Sequence, residues 1–244
     1  MKKTLIFTLL IVVFGGVALT GCGGKEGTDI SAMELDSDFA GVYKVDGGDY
    51  AADVTIEKTG KHYHMLWEFD GSASKTYGKG IELNGVLGAV FADIAGFDVG
   101  AIIYIKEGDG LTGVWTPVES PGLSFEKTPG TKSISPARPD IKGTYKTTGK
   151  RPDGSEYEGE LVVKSFGKRF SATWKIGEDE VLEGSGMALG NVLVLGYGAK
   201  KETSLAVYEI KGSELEGSWL HSETIWLSKE SALPMGTESC VKQQ

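Results

Sequence analysis

The chain of 244 residues is short of the residues that most often carry chemistry. It has two cysteines, Cys22 and Cys240, too few for a disulfide framework or a thiolate metal cage. Histidine occurs three times, as His62, His64 and His221. No window after the N-terminal apolar segment shows sustained helical spacing, which argues against helix bundles and against βαβ folds. Basic charge is in deficit: 25 Lys and Arg stand against 34 Asp and Glu, a net charge of −9. That balance argues against nucleic acid and anionic lipid headgroups as partners. No G-x-S-x-G elbow is present, and neither "DGSAS" at Asp70 nor "PDGSE" around Asp153 continues into the spaced acids of a calcium loop. What the chain does have is glycine, 36 residues, and recurring aromatics.

The N-terminus begins with the basic "MKK" and continues as "TLIFTLLIVVFGGVAL", an apolar stretch interrupted by Gly15 and Gly16 and short for a membrane span. It ends in "LTGC", Leu19 to Cys22. This resembles the lipobox of bacterial lipoproteins. The resemblance implies cleavage before Cys22, diacylglycerol on its sulfur, acylation of the new amino terminus and, with Gly23 rather than Asp next, sorting to the outer membrane. Several acyl chains anchor far more firmly than one. The expected segments are a signal peptide at 1–21 and a polar tether at 22–38. Cleavage would remove Lys2 and Lys3 and no acid, leaving a charge of −11. Cys240 would then have no internal partner, so it reads as a free thiol in a tail or a link between chains.

The chain is written twice. "YIKEGDGLTGVW", Tyr104 to Trp115, returns as "YEIKGSELEGSW", Tyr208 to Trp219. "GVYK" at Gly41 matches "GTYK" at Gly143, and Tyr50–Trp67 matches Tyr157–Trp174 without a gap. Gly78 and Gly80 match Gly184 and Gly186, Leu87 matches Leu193, and "FEK" at 125–127 is placed against "LSK" at 227–229. Two copies are too few for a solenoid, so each reads as a domain. The expected domains are 39–128 and 140–231, joined by a Pro-rich linker at 129–139 and followed by a loose tail at 232–244.

Within each copy the apolar period is two. Tyr63, Met65 and Trp67 alternate with His62, His64 and Leu66; Phe170, Ala172 and Trp174 alternate with Arg169, Ser171 and Thr173. One buried face per strand gives that pattern. Gly- and Asn-bearing breaks such as "TGK", "FGK", "LNG" and "LGN" supply hairpin turns. In the second copy the runs are 143–149, 156–165, 168–176, 180–188, 191–198, 203–211, 214–220 and 223–229. Short connections make neighbours antiparallel, and a meander of that length hides its edges by closing. The expected fold is all-β: two tandem antiparallel eight-stranded meander barrels, calycin-like, after the cleaved signal. The strand pattern resembles the up-and-down barrels of the avidin and lipocalin class. The copies also resemble repeats in exported bacterial proteins sometimes labelled fibronectin-binding.

Candidate sites follow from the aromatics. His62 and His64 share a strand face, but no third ligand is evident, and no metal or cofactor is assigned. No catalytic residue is assigned either. The copies differ most at "VLGAVFADIAGFDVGAIIYI", Val86–Ile105, an apolar run whose second-copy connection reads "KKETS". It reads either as an apolar interface, with the other domain or with a partner, or as the rim of a pocket. The candidate ligand residues are Phe91, Ile94 and Phe97, with Tyr63, Trp67 and Trp115. The expectation is a non-catalytic binding module held in the cell envelope by lipid on Cys22. Its ligand would be a small apolar molecule or an envelope or host protein. The alternatives are an adhesin-like or structural protein, and an enzyme.

Overall fold

A computed structural model describes residues 37–93, 99–107, 110–117, 124–127, 129, 134–151, 153–178, 180–197, 203–212, 214–222 and 235–242. The described residues are all-β, with no helix among them. Eight strands come from the first copy: β1 (Gly41–Asp46), β2 (Ala51–Thr59), β3 (His62–Phe69), β4 (Lys75–Leu83), β5 (Val86–Asp93), β6 (Val99–Glu107), β7 (Gly110–Pro117) and β8 (Ser124–Lys127). The second gives β9 (Gly143–Lys150), β10 (Glu156–Phe166), β11 (Arg169–Ile176), β12 (Glu180–Leu189), β13 (Val192–Tyr197), β14 (Thr203–Lys211), β15 (Glu214–Ser222) and β16 (Met235–Lys242). Every pairing between these strands is antiparallel, and all but the two seams, β1 with β8 and β9 with β16, join sequence neighbours. The turn at Asn84–Gly85 shows why the breaks were legible, since both residues have positive φ, 55° and 73°, as a two-residue hairpin requires.

The second unit is a closed eight-stranded barrel, sealed by six residue pairs between β16 and β9 from Thr237↔Lys150 to Lys242↔Tyr145. The first curls through the same course, but the four-residue β8 meets β1 at one pair, Asp46↔Lys127. Aromatic and aliphatic residues line each interior. Val54, Tyr63, Trp67, Leu87 and Tyr104 form one core, and Leu161, Phe170, Trp174, Leu193 and Tyr208 the other. One residue before each first strand plugs its barrel. Phe39 accepts from the Tyr43 hydroxyl at 2.9 Å through its carbonyl, and Ile141 accepts from Tyr145 at 2.6 Å in the same way.

Two expectations are corrected. The stretch 129–139 is not a bare linker: Ile134 is 2% exposed within an apolar cluster, and the Ala137 amide bonds the Ala188 carbonyl of β12 at 2.8 Å. The stretch 232–244 is not a loose tail, because β16 runs through it and closes the second barrel. The strand hid itself because its middle position is Glu238, whose side chain is buried, so no apolar alternation marks it. The run expected as the eighth strand, 223–229, lies outside the described residues, as do Cys22 and the segment 1–36.

The described parts of the apolar run, Val86–Asp93 and Val99–Ile105, are explained by a third cluster, between the units. Val86, Val90, Ile103 and Ile105 on the outside of one barrel pack with Met187, Val192, Val194, Leu205 and Val207 on the outside of the other. Strands β5, β6, β13 and β14 are thus covered on both faces, which is why they read as continuous apolar segments rather than alternating ones. The contact is reciprocal. β5 meets β14 while β6 meets β13, β4 meets β14 while β6 meets β12, and β5 meets its own counterpart β13. Register makes Gly88 the equivalent of Val194 and Val90 that of Gly196, since Gly80↔Ala89 in one barrel matches Gly186↔Leu195 in the other. A Cβ on Gly88 would lie 2.5 Å from a Val194 methyl, and one on Gly196 would lie 3.4 Å from a Val90 methyl. Equivalent residues therefore face each other, as they do about a two-fold axis.

Candidate functional site

The second barrel holds a carboxylate at the heart of an aromatic interior. Five consecutive strands place one row of residues side by side: Tyr157 on β10, Gly149 on β9, Glu238 on β16, Gly217 on β15 and Tyr208 on β14. Each tyrosine lies across its neighbouring glycine. A Cβ on Gly149 would sit 2.1 Å from Tyr157 Cζ, and one on Gly217 would sit 2.8 Å from Tyr208 Cδ1. Glycine at both places lets the rings lie against the backbone and reach across it. Strands about 4.8 Å apart put each tyrosine two strands from Glu238, a span that a phenol and a glutamate cover together.

The result is a buried carboxylate, 6% exposed, held by neutral donors. Oε2 accepts from the Tyr157 hydroxyl at 2.7 Å; Oε1 accepts from Trp174 Nε1 at 3.1 Å and from the Tyr208 hydroxyl. Charge-assisted hydrogen bonds of this kind are stronger than neutral ones and offset the loss of water around the anion. Burial, followed by the charge of Glu238, pushes the Tyr157 phenol well above its ordinary range, and burial does the same at Tyr197. Both phenols stay protonated at any physiological pH.

Around this group is a cavity of about 240 Å³, lined by Trp174, Tyr197, Trp219, Leu182 and Ala206 as well as by Tyr157, Tyr208 and Glu238 of the row. Trp174 and Tyr197 rings lie 5.0 Å apart and tilted, and Tyr157 and Trp219 meet edge-on at 6.3 Å. The cavity reaches the end of the barrel marked by the β9–β10 and β11–β12 turns. There Arg151 Cζ stands 5.0 Å over the Tyr157 ring and its Nη2 is 3.8 Å from Glu180. Trp219 Nε1 is buried facing the Tyr157 hydroxyl, and its counterpart Trp115 in the first unit donates to Tyr50 at 3.0 Å.

The residues singled out in the first unit lie elsewhere. Tyr63 and Trp67 are buried in its core, with Trp67 Nε1 donating to the Tyr104 hydroxyl at 3.0 Å. Phe91 and Trp115 are half-buried beside them, with rings 5.8 Å apart. Ile94 and Phe97 fall outside the described residues. Sequence reasoning missed Glu238 altogether. Register gives the reason: Gly113↔Glu126 in the first unit matches Gly217↔Glu238 in the second, so "FEK" aligns with "TES" at 237–239 and not with "LSK". Both copies therefore carry a glutamate at the same register position, which is the signal that a longer insertion concealed.

His62 and His64 point outward from β3. Their Nε2 atoms are 3.1 Å apart, and His62 is 1% exposed. Burial first, then His64 and Lys79, lowers the His62 pKa to about 4; burial lowers that of Lys79 to about 8. Among the described residues no three potential metal ligands come together.

No family model matches the chain, and no curated protein matches it. Among solved structures, EF1p2_mFAP2b bound to DFHBI matches 42% of this chain and 94% of its own, at 13% identity and a TM-score of 0.35. A likeness of that size carries no argument about ligand or activity.

Proposed function

We propose that the protein is a non-catalytic binding module that takes a small ligand into the second barrel and is held in the outer membrane by lipid on Cys22. The supporting observation is the cavity around Glu238: aromatic and aliphatic walls with a few fixed polar groups, the usual makeup of a ligand site. At about 240 Å³ it lies below the range of roughly 300–1,000 Å³ common for drug-sized ligands, so the ligand is small. Three donors spent on holding one carboxylate keep it in a single pose, which favours recognition over proton transfer.

The cavity is tested by filling it. Ala206 lies on its wall, opposite Trp219 in register. A ligand that changes tryptophan fluorescence and raises the melting temperature of the wild type should do neither in a folded Ala206→Phe variant. A response that survives the substitution places the site elsewhere. The anchor is tested separately: Cys22→Ser should move the protein out of the membrane fraction, and retention in the detergent phase at unchanged mass would remove that part of the reading.

A further inference from the structure

We propose that the cavity of the second barrel is a cage for a methylated ammonium group, a small tertiary or quaternary organic cation. This rests on the binding-module reading and names its ligand class. Five rings, those of Tyr157, Trp174, Tyr197, Tyr208 and Trp219, surround the space next to Glu238. The faces of such rings carry partial negative charge and attract cations, tryptophan most strongly. The protein already uses one of them in this way, with the Arg151 guanidinium over the Tyr157 ring at the mouth. A buried carboxylate among the rings adds a full negative charge where little water screens it. Anions are disfavoured by the same group, by Glu180 at the mouth and by the net charge of −9.

The hydrogen bonds decide which cation fits. An ionised carboxylate offers about four acceptor positions. Tyr157, Trp174 and Tyr208 take three of them, two on Oε1 and one on Oε2. A primary ammonium brings three donors and a guanidinium five, and Glu238 cannot satisfy them. A methylated ammonium brings one donor or none. It needs the charge of Glu238 and the faces of the rings, not its lone pairs, and its methyl groups suit the apolar wall.

The experiment uses the full chain at fixed ionic strength. The probes are choline, tetramethylammonium, ethanolamine and the neutral tert-butyl analogue of choline, read by calorimetry and tryptophan fluorescence. Choline and tetramethylammonium are expected to bind at least about tenfold more tightly than the neutral analogue and ethanolamine. Glu238→Gln keeps an acceptor for the phenols and should erase the preference for choline over its neutral analogue. Should that variant fail to fold, Trp219→Leu removes a half-buried ring and should weaken choline about tenfold. If the neutral analogue binds as tightly as choline, the cavity is a ligand site but charge does not select its ligand, and the inference falls while the binding module stands. If no probe binds, the inference is overturned, and the cavity is then judged by the Ala206→Phe experiment alone.

Discussion

Gly88→Ala should destabilise both barrels at once. The new Cβ would lie 2.5 Å and 3.0 Å from the two Val194 methyls and 2.9 Å from Val207 Cγ2, where carbon atoms normally keep about 3.5–4.0 Å. Those methyls belong to the other unit. They are 0% and 1% exposed and sit on β-branched side chains with little rotamer freedom, so the barrels must shift to make room. Overpacking of this kind costs about 1–3 kcal/mol. Replacing glycine where φ is not positive returns about 0.4–1 kcal/mol by restricting the unfolded chain. The net expectation is a loss of about 1–2 kcal/mol in urea unfolding followed by tryptophan fluorescence and by circular dichroism. Val194→Ala removes two of the three crowded methyls, the nearest included, and leaves Val207 Cγ2 at 2.9 Å, so the Cβ added at position 88 partly occupies the space they vacate. The double variant should therefore be more stable than the sum of the singles by about 1 kcal/mol. Stability within about 0.5 kcal/mol of wild type for Gly88→Ala, with strict additivity in the double variant, would refute the inter-barrel packing.

Further tests address the interior, the seam and the buried histidine. Trp174→Ala, at 3% exposure, should cost about 3–5 kcal/mol, and a cost below about 1 kcal/mol would mean the ring is not core. Removing residues 235–244 deletes the strand between β15 and β9 and leaves two open edges, so the truncated protein should aggregate or lose its near-ultraviolet dichroism. His62 binds its proton at about pH 4 when folded and near 6.5 when unfolded, so the unfolded state takes up the proton first as pH falls. Stability should drop from pH 6.5 to 4 by up to about 3 kcal/mol from this group alone, and His62→Gln should flatten that part of the profile. Identical pH profiles for the two proteins would contradict the burial.

Much of the fold could be read from residues because most strands bury one face. The alternation of Tyr63, Met65 and Trp67, and of Phe170, Ala172 and Trp174, marked β3 and β11, and the turn glycines separated them from their neighbours. Where both faces are buried the same logic loses direction. β5 and β6 announced an apolar surface but not what covers it, since a pocket rim and a partner barrel impose the same composition. The candidate site was hidden for the opposite reason. Its key position points inward and is charged, so Glu238 resembled part of a polar tail. Only pairing with Gly149 and Gly217 reveals that two glycines exist to let two tyrosines reach it.

The reciprocal contact between the barrels also says something about ancestry. An interface in which each strand meets the counterpart of its partner is the one two identical chains make, so a single barrel that paired with itself is the simplest forerunner of this molecule. Such a pair is bound by a rule: whatever stands on the axis must fit against itself. Glycine opposite glycine leaves a hole there, and valine opposite valine collides. Joining the two copies in one chain lifts the rule, because each can then change alone. Gly88 against Val194, and Val90 against Gly196, are solutions that no pair of identical subunits can reach. Having crossed that line, neither half can readily return to pairing with its own kind, and the two interiors are free to follow different careers.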